Sequence, residues 1–477
     1  MKGCLWITVV LLASSSLIGS SDFLEKHPPV ADAVQLLDVW IEEQRAYREI
    51  PGVSIGIVHN QELIWSKGYG FRDMDAQIPA TPATMYRIAS ITKLFTATAI
   101  MQLRDTGKLR LDDPVSNYLP WFNVQSEFTD DPPITIRNLL THTAGIPREA
   151  AFPYWTDHEF PTREEMIEAL PTQDAVFAPS TTYKYSNLGM SILGEVVTNV
   201  SGKPWKDYVQ ENILEPLGMN STKTVPATKD LDRMATAYMR LMPDGTRDIF
   251  EYYETNGIAP AANIASTVED LARFASLQFR DQPAGGSQVL QGSTLREMHR
   301  PHWVYPSWTG GRGLGFGISR RNGKTTVSHG GWLGGNRSHL LLIPDEKIAV
   351  IVMVNADDAS PYFFSYEAYD VVGPAIVEAT AVKSEKKKTD PSWKKYIGDY
   401  VDPWGWEYKV MILDDGLVMY DYNYPPEEHA EDGLTRLTPV DKHMFRMSDG
   451  EHVVFEVDKK GNVIRVQRRY DFITPKK

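Results

Sequence analysis

Ser338-His339-Leu340-Leu341-Leu342-Ile343, Pro344-Asp345-Glu346-Lys347 and Ile348-Ala349-Val350-Ile351-Val352-Met353-Val354 read as a strand, a polar turn and a second strand. Nearly every residue outside the turn is apolar, the pattern of strands covered on both faces. This hairpin therefore belongs at the centre of a sheet. Far upstream, Val53-Ser54-Ile55-Gly56-Ile57-Val58, the polar His59-Asn60-Gln61-Glu62 and Leu63-Ile64-Trp65 repeat the same strand, turn and strand order. Between the two hairpins the periodicity turns helical, over Lys93 to Arg104, Met190 to Val200 and Val268 to Phe279. An antiparallel sheet made from both ends of this region, with helices inserted between, is the economical architecture.

Beyond the second hairpin a helix-like stretch from Tyr362 to Thr380 runs into Lys383-Ser384-Glu385-Lys386-Lys387-Lys388-Thr389-Asp390-Pro391. That segment is charged and closed by proline, as linkers are, so residues 383–392 are expected to separate two domains. After it come short strands between Asp-Gly and Gly-Asn turns, such as Tyr408 to Ile412 and Val453 to Val457. They predict a small all-β sandwich or barrel over 393–477. The aromatics Trp404, Trp406, Tyr420, Tyr422 and Tyr424 are expected in its core.

At the other end, Met1-Lys2 precedes an apolar run from Cys4 to Leu12 and a string of small residues to Ser21, before Asp22. This is the pattern of a secretory signal peptide over 1–21. The run is shorter than the roughly 20 residues that span a bilayer. Export to a periplasmic or extracellular location is expected, with no integral span after leader removal and a main domain over 22–382. The single cysteine, Cys4, lies in that leader and excludes an internal disulfide or a thiolate cluster. Over 477 residues, 62 acidic against 49 basic side chains give a formal charge of -13. That sign is opposite to the footprint of a nucleic-acid binder.

Three short patterns carry chemistry. Tyr86-Arg87-Ile88-Ala89-Ser90-Ile91-Thr92-Lys93 opens an apolar helix, and the i, i+3 spacing puts Ser90 and Lys93 on one face. A lysine takes a proton from a serine hydroxyl only where burial or nearby charge lowers its pKa. The same Ser-x-x-Lys spacing recurs at Ser384 and Ser392, but without an apolar helix to bury the lysine. Tyr185-Ser186-Asn187 precedes a second helix and is the only Tyr-x-Asn among 22 tyrosines. Beside a protonated lysine its phenol is expected to have a lowered pKa and to shuttle a proton. Ser328-His329-Gly330-Gly331-Trp332 leads into the apolar hairpin and holds the only His-x-Gly among 11 histidines. Its glycines would let a substrate approach the strand backbone. His299-Arg300-Pro301-His302 is the only metal-like spacing, and it has a proline inside it and no obvious third ligand, so no metal or cofactor is expected.

Taken in order, Ser90-x-x-Lys93, Tyr185-x-Asn187 and His329-x-Gly331 resemble the three motifs of the β-lactamase and penicillin-binding protein superfamily, in its class C-like serine hydrolase branch. Leu139-Leu140-Thr141-His142-Thr143-Ala144-Gly145-Ile146-Pro147 is similar to a phrase of that branch, and the resemblance runs from about Pro51 to Asn355. It implies an α/β (α+β) fold with an antiparallel sheet flanked by helices and an inserted helical subdomain. It implies Ser90 as nucleophile, Lys93 and Tyr185 as proton carriers, and Asn187 as a contact to substrate and Lys93. His329, Gly331 and Trp332 would line the substrate site, with the backbone N–H groups of Ser90 and Trp332 as oxyanion hole.

True β-lactamases carry lysine, then threonine or serine, then glycine in the third motif. Here His329 and Gly330 remove a cation and a hydroxyl, so carboxylate recognition is expected to weaken by about 1–3 kcal/mol. By similarity the substrate is then an ester or a peptide, cleaved by an esterase or a D-aminopeptidase type of enzyme. The alternatives are a β-lactamase or D,D-carboxypeptidase, and a binding relative without turnover. The C-terminal β unit loosely resembles a lipocalin-like domain, and a homo-oligomer is conceivable on the same footing.

Overall fold

The computed structural model describes residues 20–281, 288–381, 390–413, 416–422 and 433–476. Residues 1–19 of the expected leader, most of the expected linker and Tyr424 lie outside the described residues, and Ser20 and Ser21 open a short helix, Ser20–Lys26. Two compact units are present, residues 1–380 and 381–477.

The first unit is built on an antiparallel sheet. In chain order its strands are β1 (Gly52–His59), β2 (Glu62–Asp73) and β3 (Ile78–Pro79), then, after a small separate pair β4 (Tyr86–Arg87) and β5 (Ala265–Ser266), β6 (Trp303–Val304), β7 (Gly310–Arg312), β8 (Gly317–Arg321), β9 (Lys324–Leu333), β10 (Asn336–Ile343) and β11 (Ile348–Val354). The spatial order is β3-β2-β1-β11-β10-β9-β8-β7-β6. The two hairpins read from the sequence meet at the middle, with Val53 opposite Val354 and His59 opposite Ile348. Asn60 turns the first hairpin at a φ of 55°, a left-handed conformation that asparagine tolerates.

The central strands are covered on both faces, which accounts for their unbroken apolar runs. Val53, Ile55, Leu341, Val350 and Val352 pack against the Pro28–Tyr47 and Pro361–Thr380 helices. Val58, Leu340, Leu342, Ile351 and Met353 face the opposite way, into the larger core that holds the Thr92–Asp105, Asn187–Ser201 and Val268–Leu277 helices. The period-2 alternation of a strand thus feeds two separate cores.

The second unit is a closed antiparallel barrel of eight described strands, from Gly398–Val401 to Asp471–Pro475. Its core is Tyr396, Tyr400, Tyr408, Val410, Phe445, Val453 and Phe455. Three of the aromatics expected there are on the surface instead, Trp404 at 88% exposed with Trp406 and Tyr422, and Tyr420 is half-buried. The Asp402-Gly405 turn explains the first of these, since Trp404 sits at its tip, where Asp402 Oδ1 accepts the Trp404 and Trp406 N–H groups. Among the described residues no helix is long and apolar enough to cross a membrane.

Candidate active site

The chain enters the site through β4, where Arg87 pairs with Ala265. One tight turn, Ala89–Ile91, then leads into the Thr92–Asp105 helix. Ala89 holds a φ of 49°, a left-handed backbone that costs an alanine about 1–3 kcal/mol. Packing against Ala262, Leu333, Trp155 and Tyr253 holds it there. The turn presents Ser90 to a cavity of about 430 Å³ that Tyr185, Asn187, His329, Gly331 and Trp332 also line.

Lys93, one turn further, is fully buried. Its Nζ lies 3.0 Å from Ser90 Oγ, 2.8 Å from Asn187 Oδ1 and 2.8 Å from the Ala261 carbonyl oxygen. The last two atoms only accept. A neutral amine has two N–H bonds and one lone pair, so its protons go to Asn187 and Ala261 and its lone pair faces the Ser90 hydroxyl. Desolvation drives the group toward that state and holds it well below the ordinary lysine range. Glu149 opposes the shift, and the charges of Arg148 and Arg312 reinforce it.

Tyr185 and Asn187 flank Ser186, the extended N-cap of the Asn187–Ser201 helix. Ser186 Oγ accepts the Gly189 N–H and donates to the Pro147 carbonyl. The Ser186 N–H donates to His142 Nδ1 at 3.2 Å, and the Asn187 N–H donates to the Arg148 carbonyl at 2.7 Å. The Leu139–Pro147 phrase is therefore a brace for the second motif. His142 also lays its ring 4.5 Å from that of Tyr185, centroid to centroid. Burial raises the Tyr185 pKa, and the nearby Ser90 hydroxyl with the charges of Arg312 and Arg148 offsets only part of the rise. This corrects the expected phenol acidity: with Lys93 driven toward the neutral amine, no adjacent ammonium draws the phenol proton off.

The third motif lies inside β9, whose edge presses on the nucleophile turn. A Cβ on Gly331 would stand 2.2 Å from the Ile88 carbonyl oxygen and 2.4 Å from Ser338 Oγ. Ser338 Oγ donates to that same carbonyl at 2.9 Å. Glycine is required here by the protein's own backbone rather than by a substrate. His329 Nδ1 donates to the Gly330 carbonyl at 2.7 Å, which leaves Nε2 as a bare acceptor, buried and without a partner among the described residues. Burial first, then Arg312 and Lys93, hold His329 well below the ordinary histidine range and so neutral. The Trp332 indole donates to Asp357 and lies 5.7 Å from the Trp155 ring.

Sequence reasoning missed two residues. Glu149, two positions beyond the braced phrase, accepts from Asn187 Nδ2 through both oxygens, at 2.8 and 3.0 Å. Tyr154 and Arg148 hold the same carboxylate. Glu149 thus fixes which end of the Asn187 amide faces Lys93. Arg312, on β7, is 8% exposed and lines the cavity, and its Nε and Nη2 have no partner among the described residues. Arg148 and Arg337 line the same cavity. The cation that the third motif lost is therefore present, supplied from another strand. Its only sequence signal is an arginine within Gly310-Gly311-Arg312-Gly313, which matches no motif.

His299 and His302 face different partners. His299 Nε2 meets Gln278 Oε1, whereas His302 accepts from Arg137 and donates to the Glu297 carbonyl.

A family model described as Beta-lactamase matches residues 37–371. Protein flp of Staphylococcus aureus (strain MW2) is 28% identical over 331 residues, which are 68% of this chain and 63% of that protein. The chain thus spans less than two thirds of the length of that curated relative. The octameric penicillin-binding protein homologue from Pyrococcus abyssi superposes with a TM-score of 0.63 at 26% identity, covering 92% of this chain and 99% of that one. EstCE1, described as a hydrolase with promiscuous acyltransferase activity, shares the fold with a TM-score of 0.60 at 24% identity, over 72% and 98% of the two chains.

Proposed function

Because the chain belongs to the beta-lactamase family of hydrolases, we propose that it is a serine hydrolase that cleaves an ester or amide bond through an acyl-Ser90 intermediate. The observation that carries this is the buried Lys93, whose Nζ lies 3.0 Å from Ser90 Oγ while Asn187 Oδ1 and the Ala261 carbonyl accept from it on its other sides. Lys93 takes the Ser90 proton as Oγ bonds to the substrate carbonyl carbon. The negative charge that develops on the carbonyl oxygen falls to the backbone N–H groups of Ser90 and Trp332, both on the cavity wall. Tyr185, beside Ser90 on the same cavity wall, gives its proton to the leaving alcohol or amine and is reprotonated from Lys93. Water then enters by the reverse route and releases the acid. No step calls for a metal or an organic cofactor.

The substrate is a small molecule or a short peptide. Export behind the residue 1–21 leader belongs to the same proposal, and cell fractionation tests it. Self-association is supported by the octameric neighbour, and light scattering tests it. The decisive comparison is wild type against Ser90→Ala on a short-chain nitrophenyl ester, a D-alanyl anilide and a chromogenic cephalosporin. Full activity of the variant on the ester and the anilide would refute the assignment of the nucleophile.

Arg312 favours a second reading, a D,D-carboxypeptidase or β-lactamase acting on a substrate with a free carboxylate. A buried guanidinium whose Nε and Nη2 have no partner among the described residues is a fork for such a group. If this holds, Arg312→Met raises KM for the cephalosporin by about 10-fold or more and leaves a neutral ester unaffected. Equal effects on both substrates would sink it.

A further inference from the structure

A second cavity, of about 200 Å³, is lined by Arg87, Phe250, Glu251, Tyr252, Tyr253 and Asn336. None of these takes part in the chemistry above. Arg87 is 4% exposed, and its guanidinium carbon lies 5.0 Å from the centre of the Tyr252 ring and 4.9 Å from that of Tyr253. Among the described residues its side chain makes one long hydrogen bond, from Nη2 to Asn263 Oδ1 at 3.4 Å, and none to a carboxylate. Arg87 Nε, the Tyr252 hydroxyl and Asn336 Oδ1 are all buried without a partner among the described residues. A buried cation in this state is costly unless something pairs with it.

These groups divide by chemistry. The guanidinium fork and the Tyr252 O–H donate, and a carboxylate suits both. Asn336 Oδ1 accepts only, and the exposed Glu251 carboxylate adds negative charge, so they call for a cationic donor. We propose that this cavity binds a small free α-amino acid, its carboxylate on Arg87 and Tyr252 and its ammonium toward Asn336 and Glu251. At about 30 Å³ per water, the space equals roughly six or seven waters, which limits the ligand to a compact side chain. Tyr253 belongs both to this wall and to the cluster with Ala89, Ala262, Leu333 and Trp155. Of that cluster, Ala262 and Trp155 also line the catalytic cavity. The ligand therefore sits behind the nucleophile turn without touching Ser90.

The test is calorimetric titration and thermal shift of the full chain with alanine of each hand, lactate, propionate and inorganic phosphate. Saturable binding of one alanine enantiomer at millimolar concentration is expected, with lactate, propionate and phosphate weaker. Tyr252→Phe deletes a hydroxyl that has no partner, so folding is unaffected, and it should weaken alanine binding about fivefold or more. Ser90→Ala should leave binding unchanged. Three results would overturn the proposal: no saturable binding, full binding by Tyr252→Phe, or binding lost with Ser90→Ala. Lactate binding more tightly than alanine would refute the ammonium pocket.

Discussion

Glu149→Gln keeps the size of the side chain and removes one charge and one acceptor. In the native site both carboxylate oxygens accept from Asn187 Nδ2. A glutamine sets an N–H₂ group against the Asn187 N–H₂, so one of the two contacts becomes donor against donor. Losing a hydrogen bond to a charged group costs about 1.5–3 kcal/mol, and kcat/KM should fall about 10- to 150-fold as Asn187 loosens. The second effect acts on Lys93, whose pKa Glu149 holds up. The path from Lys93 to Glu149 is two hydrogen bonds of 2.8 Å in series across the Asn187 amide. That path spans at most about 8 Å, and at an effective dielectric near 20 the interaction is about 2 kcal/mol, more than one pH unit. The active form of Lys93 is neutral, so the rate rises as pH passes upward through its pKa. In Glu149→Gln this acidic limb should move to lower pH, while the plateau drops. The pH profile of kcat/KM on a nitrophenyl ester measures both. Simple structural damage lowers the plateau and leaves the limb where it was; a limb that stays put, or moves to higher pH, refutes the assigned role.

Gly331→Ala should abolish activity and destabilise the fold, because its Cβ meets backbone at 2.2 Å, whereas Gly330→Ala meets the hydroxyl and ring of Tyr362, a part-exposed side chain that can swing aside, and should be milder. Denaturant melts and ester turnover of the two variants check the contrast. Tyr185→Phe keeps the ring beside His142 but loses the proton carrier, and kcat is expected to fall about 10²–10⁴-fold with little change in melting temperature. His299 and His339 are fully buried, and desolvation pushes them down to about 4 and about 3. The unfolded chain, with histidines near 6.5, binds protons that the native state refuses. The stability they contribute is thus complete above about pH 6.5 and is lost toward pH 4 and then 3, at about 1.4 kcal/mol per pH unit for each. Urea melts between about pH 7 and pH 4.5 should show that slope, and a His299→Gln/His339→Gln variant should flatten it. An equally steep slope in the variant would contradict the assignment.

The fold was legible where one residue type served one face. The runs Val53–Val58 and Ile348–Val354 announced a doubly covered strand pair, and the three helices predicted between the hairpins fall at Thr92–Asp105, Asn187–Ser201 and Val268–Leu277. Ser90, Lys93, Tyr185, Asn187, His329, Gly331 and Trp332 converge on one cavity or on its buried amine because their spacings encode helix and strand geometry. Arg312 and Glu149 were illegible for the opposite reason. Glu149 works through Asn187, 38 positions away in sequence, and Arg312 reaches the cavity only because β7 folds onto it, so a lone charge in a glycine-rich strand or loop looks like any solvated residue. The phenol acidity of Tyr185 was misjudged because burial is a tertiary property. The barrel aromatics were misplaced because aromatic density marks turns and surfaces as readily as cores.

The pairing of Val53 with Val354 sets a schedule as well as a shape. The first hairpin leaves the ribosome with its inner edge bare and keeps it so until about 300 further residues are made, roughly 15–60 s of synthesis at 5–20 residues per second. The β9 segment that packs on the nucleophile turn, and Ser338 of β10 that donates to the Ile88 carbonyl, arrive only shortly before that closure. The nascent chain therefore carries a serine and a lysine with no working geometry for most of its synthesis, and acquires its reactivity in one late event. A pulse of active-site label on stalled chains should find reactivity only once β11 has emerged.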